Sequence, residues 1–166
     1  MQIEYRLAGL EDLEEICSLV QGAIASLIEQ NILQWDELYP TQEDFREDIR
    51  KSQLYVGMID GQIAVIYTLN QECDDEYMKG KWRFEDRPYY VIHRLCVNRF
   101  FQNQGIGRYT MKHIEKEVQA MGITAIRLDA FTENPYSLKM YGNLGYTRVG
   151  YVNWRKGKFY LLEKYL

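Results

Sequence analysis

The sequence feature that most constrains the fold is a run of β-branched and aromatic residues that leads through a glycine-rich turn into an amphipathic stretch. Tyr89–Asn98 (YYVIHRLCVN) predicts a central strand. After Gly105, Ile114 and Val118 repeat at helical spacing, and Gly122 marks the end of that helix. Because mixed sheets covered by helices are built from strands that lead into helices, the chain is expected to be an α/β protein.

The rest of the sequence divides into short strands and helices that fit the same class. An amphipathic helix is predicted over Leu10–Gln30 and a second from Thr41 to about Lys51. The pair Asp60-Gly61 predicts a tight hairpin turn. Gln71–Pro88 is either an extended hairpin arm or a mobile loop. The remaining predicted elements are strands at Ile3–Leu7, Leu54–Ile59, Gln62–Leu69 and Ala125–Phe131, a helix from Asn134-Pro135 to Gly145, and a final hairpin of Tyr146–Trp154 and Lys158–Leu166.

Length and composition favour one soluble domain over residues 1–166. The chain is long enough for a single core, and its 46% hydrophobic and 27% charged residues are the balance of a globular protein. The longest apolar run, Ile63–Tyr67, is far shorter than the roughly 20 residues that a membrane helix needs, and the acidic start does not resemble a secretory signal. Three cysteines without C-x-x-C spacing and two separated histidines favour a cytoplasmic protein without a metal site.

The charged residues are distributed unevenly along the chain. Residues 1–53 contain four basic and twelve acidic side chains, whereas residues 54–166 contain sixteen basic and twelve acidic ones. Between Arg87 and Ile114 there are five basic residues and no Asp or Glu, so this stretch could face an anion or could be a solvated basic surface. The net charge of −4 argues against a nucleic-acid partner.

The turn over residues 98–109 (NRFFQNQGIGRY) has the composition of an anion-binding loop. A helix start exposes unpaired N–H groups and about half a positive charge, and Gly105 and Gly107 would let a phosphate approach the backbone. The P-loop pattern is absent, and Thr110 stands where a dinucleotide-binding loop has its third glycine, so nucleotide hydrolysis and hydride transfer are disfavoured. A tight turn that binds nothing is the structural alternative.

This loop resembles the acetyl-coenzyme A (acetyl-CoA) signature of the GNAT N-acetyltransferase superfamily. Gln102, Gly105 and Gly107 follow a strand that ends in Leu95-Cys96-Val97, as in that signature. A second match lies in ENPYSLKMYGNLGY at residues 133–146, which resembles the next helix of the superfamily. The resemblance spans essentially the whole chain. It implies a single-domain GNAT-like fold: a mixed central β-sheet flanked by helices, with a splayed central strand followed by the pyrophosphate-binding helix.

The resemblance also implies that acetyl-CoA is the cosubstrate and that no metal takes part. The residues that it assigns to cosubstrate binding are Leu95, Cys96, Val97, Gln102, Asn103, Gln104, Gly105, Ile106, Gly107, Arg108, Asn134 and Ser137.

Amine acetylation needs a neutral amine and a proton for the departing thiolate, so a base and an acid are both useful. The resemblance implies that Tyr141 is the general acid, and a tyrosine packed under the final strands is the alternative. His93 is the candidate base because imidazole ordinarily titrates near pH 6.5, although Val91 stands where arylalkylamine-type members often carry a second histidine. Two alternatives stay open: His93 only forms a hydrogen bond with a neighbour, or a chain of water molecules acts as the base. Cys96 falls on the opposite strand face from His93, which favours direct attack over an acyl-enzyme.

The predicted function is therefore transfer of an acetyl group from acetyl-CoA to a primary amine, carried by a small molecule or a peptide, within a ternary complex. A non-catalytic acyl-CoA sensor or partner subunit of the same fold is the alternative. The acidic first third, with Trp35, Tyr39 and Trp82, could bind a cationic acceptor or could be ordinary surface and core. No nucleic acid or membrane is expected as a partner, and a homodimer through the C-terminal hairpin is left open.

Overall fold

The computed structural model describes residues 2–166, which form seven strands and four α-helices. The strands are β1 (Glu4–Leu7), β2 (Leu54–Ile59), β3 (Gln62–Asn70), β4 (Tyr89–Val97), β5 (Ala125–Phe131), β6 (Thr147–Trp154) and β7 (Gly157–Tyr165). The helices are α1 (Leu13–Glu29), α2 (Gln42–Arg50), α3 (Ile106–Ala120) and α4 (Pro135–Asn143), with short 3₁₀ helices at Leu10–Asp12, Asp75–Lys79 and Arg99–Phe101.

The strands form a mixed sheet in the order β1-β2-β3-β4-β5-β7-β6. β1, β2 and β3 pair antiparallel, as do β5, β7 and β6. β4 runs parallel to β5, and the two pair over Tyr89–Val91. Because parallel strands need a crossover, α3 connects them. This architecture confirms the predicted α/β class with a mixed central sheet.

Two compact units make up the chain, which passes between them at the end of β3, within β4 and within α3. The first unit contains the chain up to Leu69 together with Arg94–Thr110, and the second contains Asn70–His93 and Met111–Leu166.

The core of the first unit forms where the apolar faces of α1 and α2 meet β2 and β3. Ile16 of α1 and Phe45 of α2 are almost fully buried in one cluster with Leu54 and Ile66. Burial of such a side chain contributes about 1.5–3 kcal/mol to stability. A second cluster, which includes Ala64, Val65 and the first residue of α3, Ile106, fixes the start of α3 against β3.

The local signals of the sequence were mostly accurate. Thr41 Oγ1 accepts a hydrogen bond from the Asp44 amide at 3.3 Å and caps α2 as predicted. Asp60 and Gly61 have φ angles of +49° and +77°, which confirms the hairpin turn. The predicted helix over Leu10–Gln30 was too long at its start, because Asp12 Oδ2 accepts the Gly9 amide at 2.8 Å and holds the first turn as a 3₁₀ helix.

Residues 71–88 form a largely exposed loop of the second unit, with a short 3₁₀ helix, and not an extended hairpin arm. Tyr77 and Trp82 are both buried. The Tyr77 hydroxyl donates to Asp129 of β5 at 2.6 Å, and the Trp82 indole donates to the Tyr77 carbonyl at 2.7 Å. The Lys81 amide donates to the carbonyl of Val149 in β6 at 2.7 Å. The segment is therefore anchored by partners that lie far away in sequence.

Candidate active site

β4 changes its backbone conformation at Arg94, directly before the segment that resembles the cosubstrate-binding strand. Arg94 has a φ angle of +52°, which costs an L-residue about 1–2 kcal/mol. Its guanidinium donates two hydrogen bonds to Asp48, at 2.9 and 2.8 Å, and one to the Tyr39 hydroxyl at 2.8 Å. Burial by itself lowers the pKa of Arg94, but Tyr39 and Asp48 more than offset this and leave the pKa raised. The arginine therefore stays charged inside the protein.

The residues that follow Arg94 place their side chains on alternate faces of the strand. Cys96 belongs to the buried cluster of α1 and α2, whereas Leu95 and Val97 pack against the cluster around Ile106. Burial raises the pKa of the Cys96 thiol to about 12. Cys96 is therefore neither exposed nor ionised at neutral pH.

Asn98 holds the beginning of the glycine-rich loop against β3. Its amide donates to the Ala64 carbonyl at 2.8 Å and its side-chain nitrogen to the Ile63 carbonyl at 3.0 Å. Its side-chain oxygen accepts the Phe100 amide at 3.0 Å and so caps the 3₁₀ helix of Arg99–Phe101. The loop thus departs from a fixed point on the sheet.

The loop then exposes its backbone. Asn103, Gln104 and Gly105 are all exposed, and the φ angles of Asn103 and Gly105 are +63° and +76°. A Cβ added to Gly105 would meet no atom within 4 Å, so the space beside this backbone is open. Asparagine and glycine are the residues that adopt this left-handed conformation at least cost.

α3 begins at the end of the loop, and its first N–H groups have no carbonyl acceptor within the helix. The Tyr109 amide donates to the Gly105 carbonyl at 3.0 Å and makes the first α-helical hydrogen bond. The amides of Ile106, Gly107 and Arg108 come before it, where an α-helix has no internal acceptor. Ile106 is buried and Tyr5 of β1 shares a hydrogen bond of 2.9 Å with Thr110, so this end of the helix is held firmly.

The loop also packs against α1. A Cβ on Gly22 would lie only 2.9 Å from Cδ of Arg99, so the glycine makes room for this arginine. The Ser26 hydroxyl donates to Oε1 of Gln102 at 3.5 Å. Gly22 and Ser26 are four residues apart and therefore lie on one stripe of the helix.

The basic stretch of the sequence does not form one anionic-ligand surface in the first unit. Arg94 is committed to Asp48, whereas Arg99 and Arg108 are exposed. The Arg99 guanidinium lies 5.3 Å from the ring centre of Phe100. Arg99 and Arg108 are thus the two arginines of this stretch in the first unit whose charge faces solvent.

A cavity of about 430 Å³ lies in the first unit between α1, α2 and their connection. Most of its lining is apolar, including Val20, Ile24 and Phe45, and Cys17 contributes its thiol. Asp36 and Glu37 are its charged lining residues. Trp35 packs, partly buried, against the core of this unit, and Tyr39 is 40% exposed.

His93 lies in the second unit, with one ring nitrogen directed at two oxygens. Nε2 is 2.8 Å from Oδ1 of Asn70 and 2.9 Å from the Glu72 carbonyl. Oδ1 of Asn70 also accepts the Glu72 amide at 2.9 Å, which identifies it as the oxygen. Nε2 therefore carries the proton, and a neutral His93 has its lone pair on Nδ1.

Tyr141, also in the second unit, is buried on α4. Its ring meets the ring of Tyr146 edge-on at 5.8 Å. Burial, and to a smaller extent the negative charge of Asp129, raises the pKa of the Tyr141 phenol well above its ordinary value. The phenol is therefore protonated at neutral pH and can donate a proton.

Asn134 and Ser137 form the start of α4. Oδ1 of Asn134 accepts the Ser137 amide at 3.2 Å, and the Ser137 hydroxyl donates to the Asn134 carbonyl at 3.3 Å. Asn134 is buried, and Pro135 occupies the first turn, as the sequence predicts.

Among residues 2–166 there is no group of three or more His, Cys, Asp or Glu side chains that could hold a metal ion. In the same residues, no helix combines the length and the apolar character that crossing a membrane would require.

Residues 24–146 match the family model described as "Acetyltransferase (GNAT) family". The chain therefore belongs to the GNAT acetyltransferase family, which confirms the resemblance seen in the loop and in α4. A curated relative, the uncharacterized N-acetyltransferase YesJ of Bacillus subtilis (strain 168), is 27% identical over 146 residues, which cover 86% of this chain and 81% of the relative. Membership of this family makes the protein an acetyl-CoA-dependent acetyltransferase.

Solved structures share the fold at lower sequence identity. A GNAT acetyltransferase from Streptococcus agalactiae 2603 superposes with a TM-score of 0.87 at 23% identity, covering 99% of this chain and 95% of the other. The PaiA N-acetyltransferase from Thermoplasma acidophilum, solved in complex with coenzyme A, has a TM-score of 0.73 at 18% identity and full coverage of both chains. These structures show that the fold is the GNAT fold.

The sequence did not reveal the contact between Arg94 and Asp48, since the two residues are 46 positions apart. The one signal was a charged residue in the middle of a predicted central strand, where burial requires a partner for the charge.

Proposed function

We propose that residues 1–166 act as a single N-acetyltransferase domain that transfers the acetyl group of acetyl-CoA to a primary amine. The observation that carries the proposal is the exposed loop at Asn103–Gly105, which leads into the first amides of α3, where an α-helix has no internal acceptor. These donors and the positive end of the helix dipole suit a diphosphate. The open space at Gly105 would let the phosphates approach the backbone.

Further cosubstrate contacts are proposed for the residues that the family resemblance assigned. In the first unit these are the strand residues Leu95–Val97 and the loop and helix residues Gln102–Arg108. Arg108, which is exposed in the first turn of α3, adds positive charge beside the amides. In the second unit they are Asn134 and Ser137 at the start of α4.

For the chemistry we propose a single displacement. The amine nitrogen attacks the thioester carbonyl carbon, the carbon–sulfur bond breaks, and the amine loses a proton while the departing thiolate gains one. Tyr141 supplies the proton to sulfur. Its raised pKa keeps the proton on the phenol at neutral pH, and transfer to sulfur is favourable only where the departing thiolate is the stronger base.

His93 is proposed as the base, acting through Nδ1 either directly or through water. The hydrogen bonds of Nε2 to Asn70 and Glu72 fix the tautomer in which Nδ1 accepts a proton.

For the acceptor we propose a primary amine with an apolar body. The cavity between α1 and α2 has apolar walls and two carboxylates, Asp36 and Glu37, as its charged lining residues. Such a lining attracts a cationic group and buries an apolar one. A peptide N-terminus with an apolar first residue meets the same description.

The test is a screen of primary amines with acetyl-CoA, in which free thiol is followed. Alkylamines, arylalkylamines, polyamines and peptides should be compared. Thiol release that depends on an amine and falls at least about 100-fold in Tyr141→Phe supports catalysis, since positioned acids contribute about 10²–10⁴. Tight acetyl-CoA binding without amine-dependent release would favour the acyl-CoA sensor instead.

A further inference from the structure

The buried contact between Arg94 and Asp48 joins the central strand to α2. Nε of Arg94 donates to Oδ2 of Asp48 at 2.9 Å and Nη2 donates to Oδ1 at 2.8 Å, so both carboxylate oxygens are used. The side chains are only 15% and 9% exposed. Such a two-pronged contact fixes direction as well as distance, and a lysine could not reproduce it.

The carboxylate is itself held in place by β3. The hydroxyl of Thr68, which is fully buried, donates to Oδ2 of Asp48 at 2.9 Å. Asp48 lies in the last turns of α2, and its backbone carbonyl accepts the Gln53 amide at 2.9 Å. The acceptor for the arginine is therefore fixed by two other elements of the same unit.

The third guanidinium hydrogen bond extends the contact to the connection between α1 and α2. Nη1 of Arg94 donates to the Tyr39 hydroxyl at 2.8 Å. Tyr39 and Asp36 exchange two backbone hydrogen bonds of 3.1 and 3.3 Å, so this connection is a closed turn. The same turn contributes Asp36, Glu37 and Pro40 to the cavity lining.

We infer that Asp48 and Arg94, together with the Tyr39 hydroxyl, form a clamp that holds Arg94 in its left-handed conformation and so sets the direction of Leu95–Val97 for acetyl-CoA binding. Arg94 has the left-handed φ of +52° immediately before Leu95–Val97. A left-handed residue turns the peptide planes beside it, and arginine does not favour that conformation by itself. The clamp residues are positioning residues that act through the backbone. The inference rests on the proposed function, because it assigns acetyl-CoA to this strand and loop.

The clamp is tested with two pairs of variants, in which acetyl-CoA affinity is measured by calorimetry and stability by urea unfolding. The first pair is Asp48→Asn and Asp12→Asn. Asp12 is also a buried carboxylate in the first unit, bound by two nitrogens of Arg6 at 2.7 and 3.0 Å, but it lies at the start of α1. Both variants should lose stability, whereas only Asp48→Asn should raise the Kd for acetyl-CoA, by about tenfold.

The second pair is Arg94→Gly and Arg94→Ala. Neither variant has a guanidinium, but glycine adopts a positive φ freely. Arg94→Gly should therefore bind acetyl-CoA several-fold more tightly than Arg94→Ala, although glycine ordinarily stabilises a strand less than alanine. A purely structural ion pair would not produce this order.

Tyr39→Phe provides a variant that keeps the fold if the others do not, since it removes one partly exposed hydroxyl. It should raise the Kd for acetyl-CoA about threefold. Two results would refute the clamp but not the proposed function, provided that the unaltered protein binds acetyl-CoA. The first is that Asp48→Asn and Asp12→Asn weaken binding equally. The second is that Arg94→Gly binds acetyl-CoA no better than Arg94→Ala. If the unaltered protein does not bind acetyl-CoA, the proposed function and the clamp both fail.

Discussion

Replacement of Gly105 by alanine should separate cosubstrate binding from folding. Gly105 has a φ angle of +76° and open space where a Cβ would stand. The methyl group therefore costs backbone strain of about 1–2 kcal/mol, partly offset by about 0.4–1 kcal/mol from the stiffer unfolded chain. In a chain of 166 residues a net loss near 1 kcal/mol lowers Tm by roughly 2–4 °C.

The effect on acetyl-CoA binding should be larger than the effect on folding. The methyl group would stand between the phosphates and the loop amides, and one or two hydrogen bonds to a charged group would be lost. Each contributes about 1.5–3 kcal/mol, so the Kd for acetyl-CoA should rise by roughly 10- to 100-fold or more. Isothermal titration calorimetry measures this directly.

The chain contains a matched control for this experiment. Gly61, in the turn between β2 and β3, has a φ angle of +77° and equally open surroundings. Gly61→Ala should lower Tm by a similar amount and leave the Kd for acetyl-CoA unchanged. If both variants weaken acetyl-CoA binding equally, or if neither does, the assignment of the phosphate site to the loop at Gly105 is refuted.

Three further predictions follow from other residues. Tyr141→Phe should lower kcat while the Kd for acetyl-CoA stays constant, and an equal loss of affinity would indicate a packing role. Because the Tyr141 pKa is raised, kcat of the unaltered enzyme should show no loss from phenol ionisation up to about pH 10. The pKa of Asp12 is lowered, mainly by its hydrogen bonds from Arg6, so its stabilisation is complete above its ordinary pKa of 3.8 and is lost below it. The difference in unfolding free energy between the unaltered protein and Asp12→Asn should therefore shrink as the pH falls from 5 to 2, and a constant difference would contradict the ion pair. Cys17 lines the cavity, so an amine that the enzyme accepts should protect Cys17 from maleimide at pH 8.5 but leave Cys73 reactive. Mass spectrometry measures the labelling of each cysteine. Equal labelling of Cys17 with and without the amine would show that the cavity is not the acceptor site.

Much of the fold could be predicted from the sequence because the decisive signals are local. Asp60-Gly61 specifies its own turn, and Thr41 caps the helix that follows it. Asn134 and Pro135 likewise define the start of α4. In each case the residues that determine the structure lie within a few positions of each other.

The parts that could not be predicted depend on partners far away in the chain. The loop at residues 71–88 is anchored to β5 because Tyr77 donates a hydrogen bond to Asp129, which is 52 positions away. Arg94, at which β4 has its positive φ angle, is paired with Asp48, and nothing in the local pattern specifies this pair. The candidate phosphate site stays a prediction made from a loop and the helix start beside it, which are adjacent in sequence. The contact of Arg94 with Asp48 and Tyr39 joins distant parts of the chain, and the sequence did not reveal it.

The central claim is that the amides at the start of α3 bind the diphosphate of acetyl-CoA. A crystal structure of the protein with acetyl-CoA tests it most directly. Phosphate oxygens should lie about 3 Å from the backbone nitrogens around Ile106–Arg108, which is the hydrogen-bonding distance. A diphosphate bound elsewhere, or side chains of the protein covering those amides in the complex, would contradict the account.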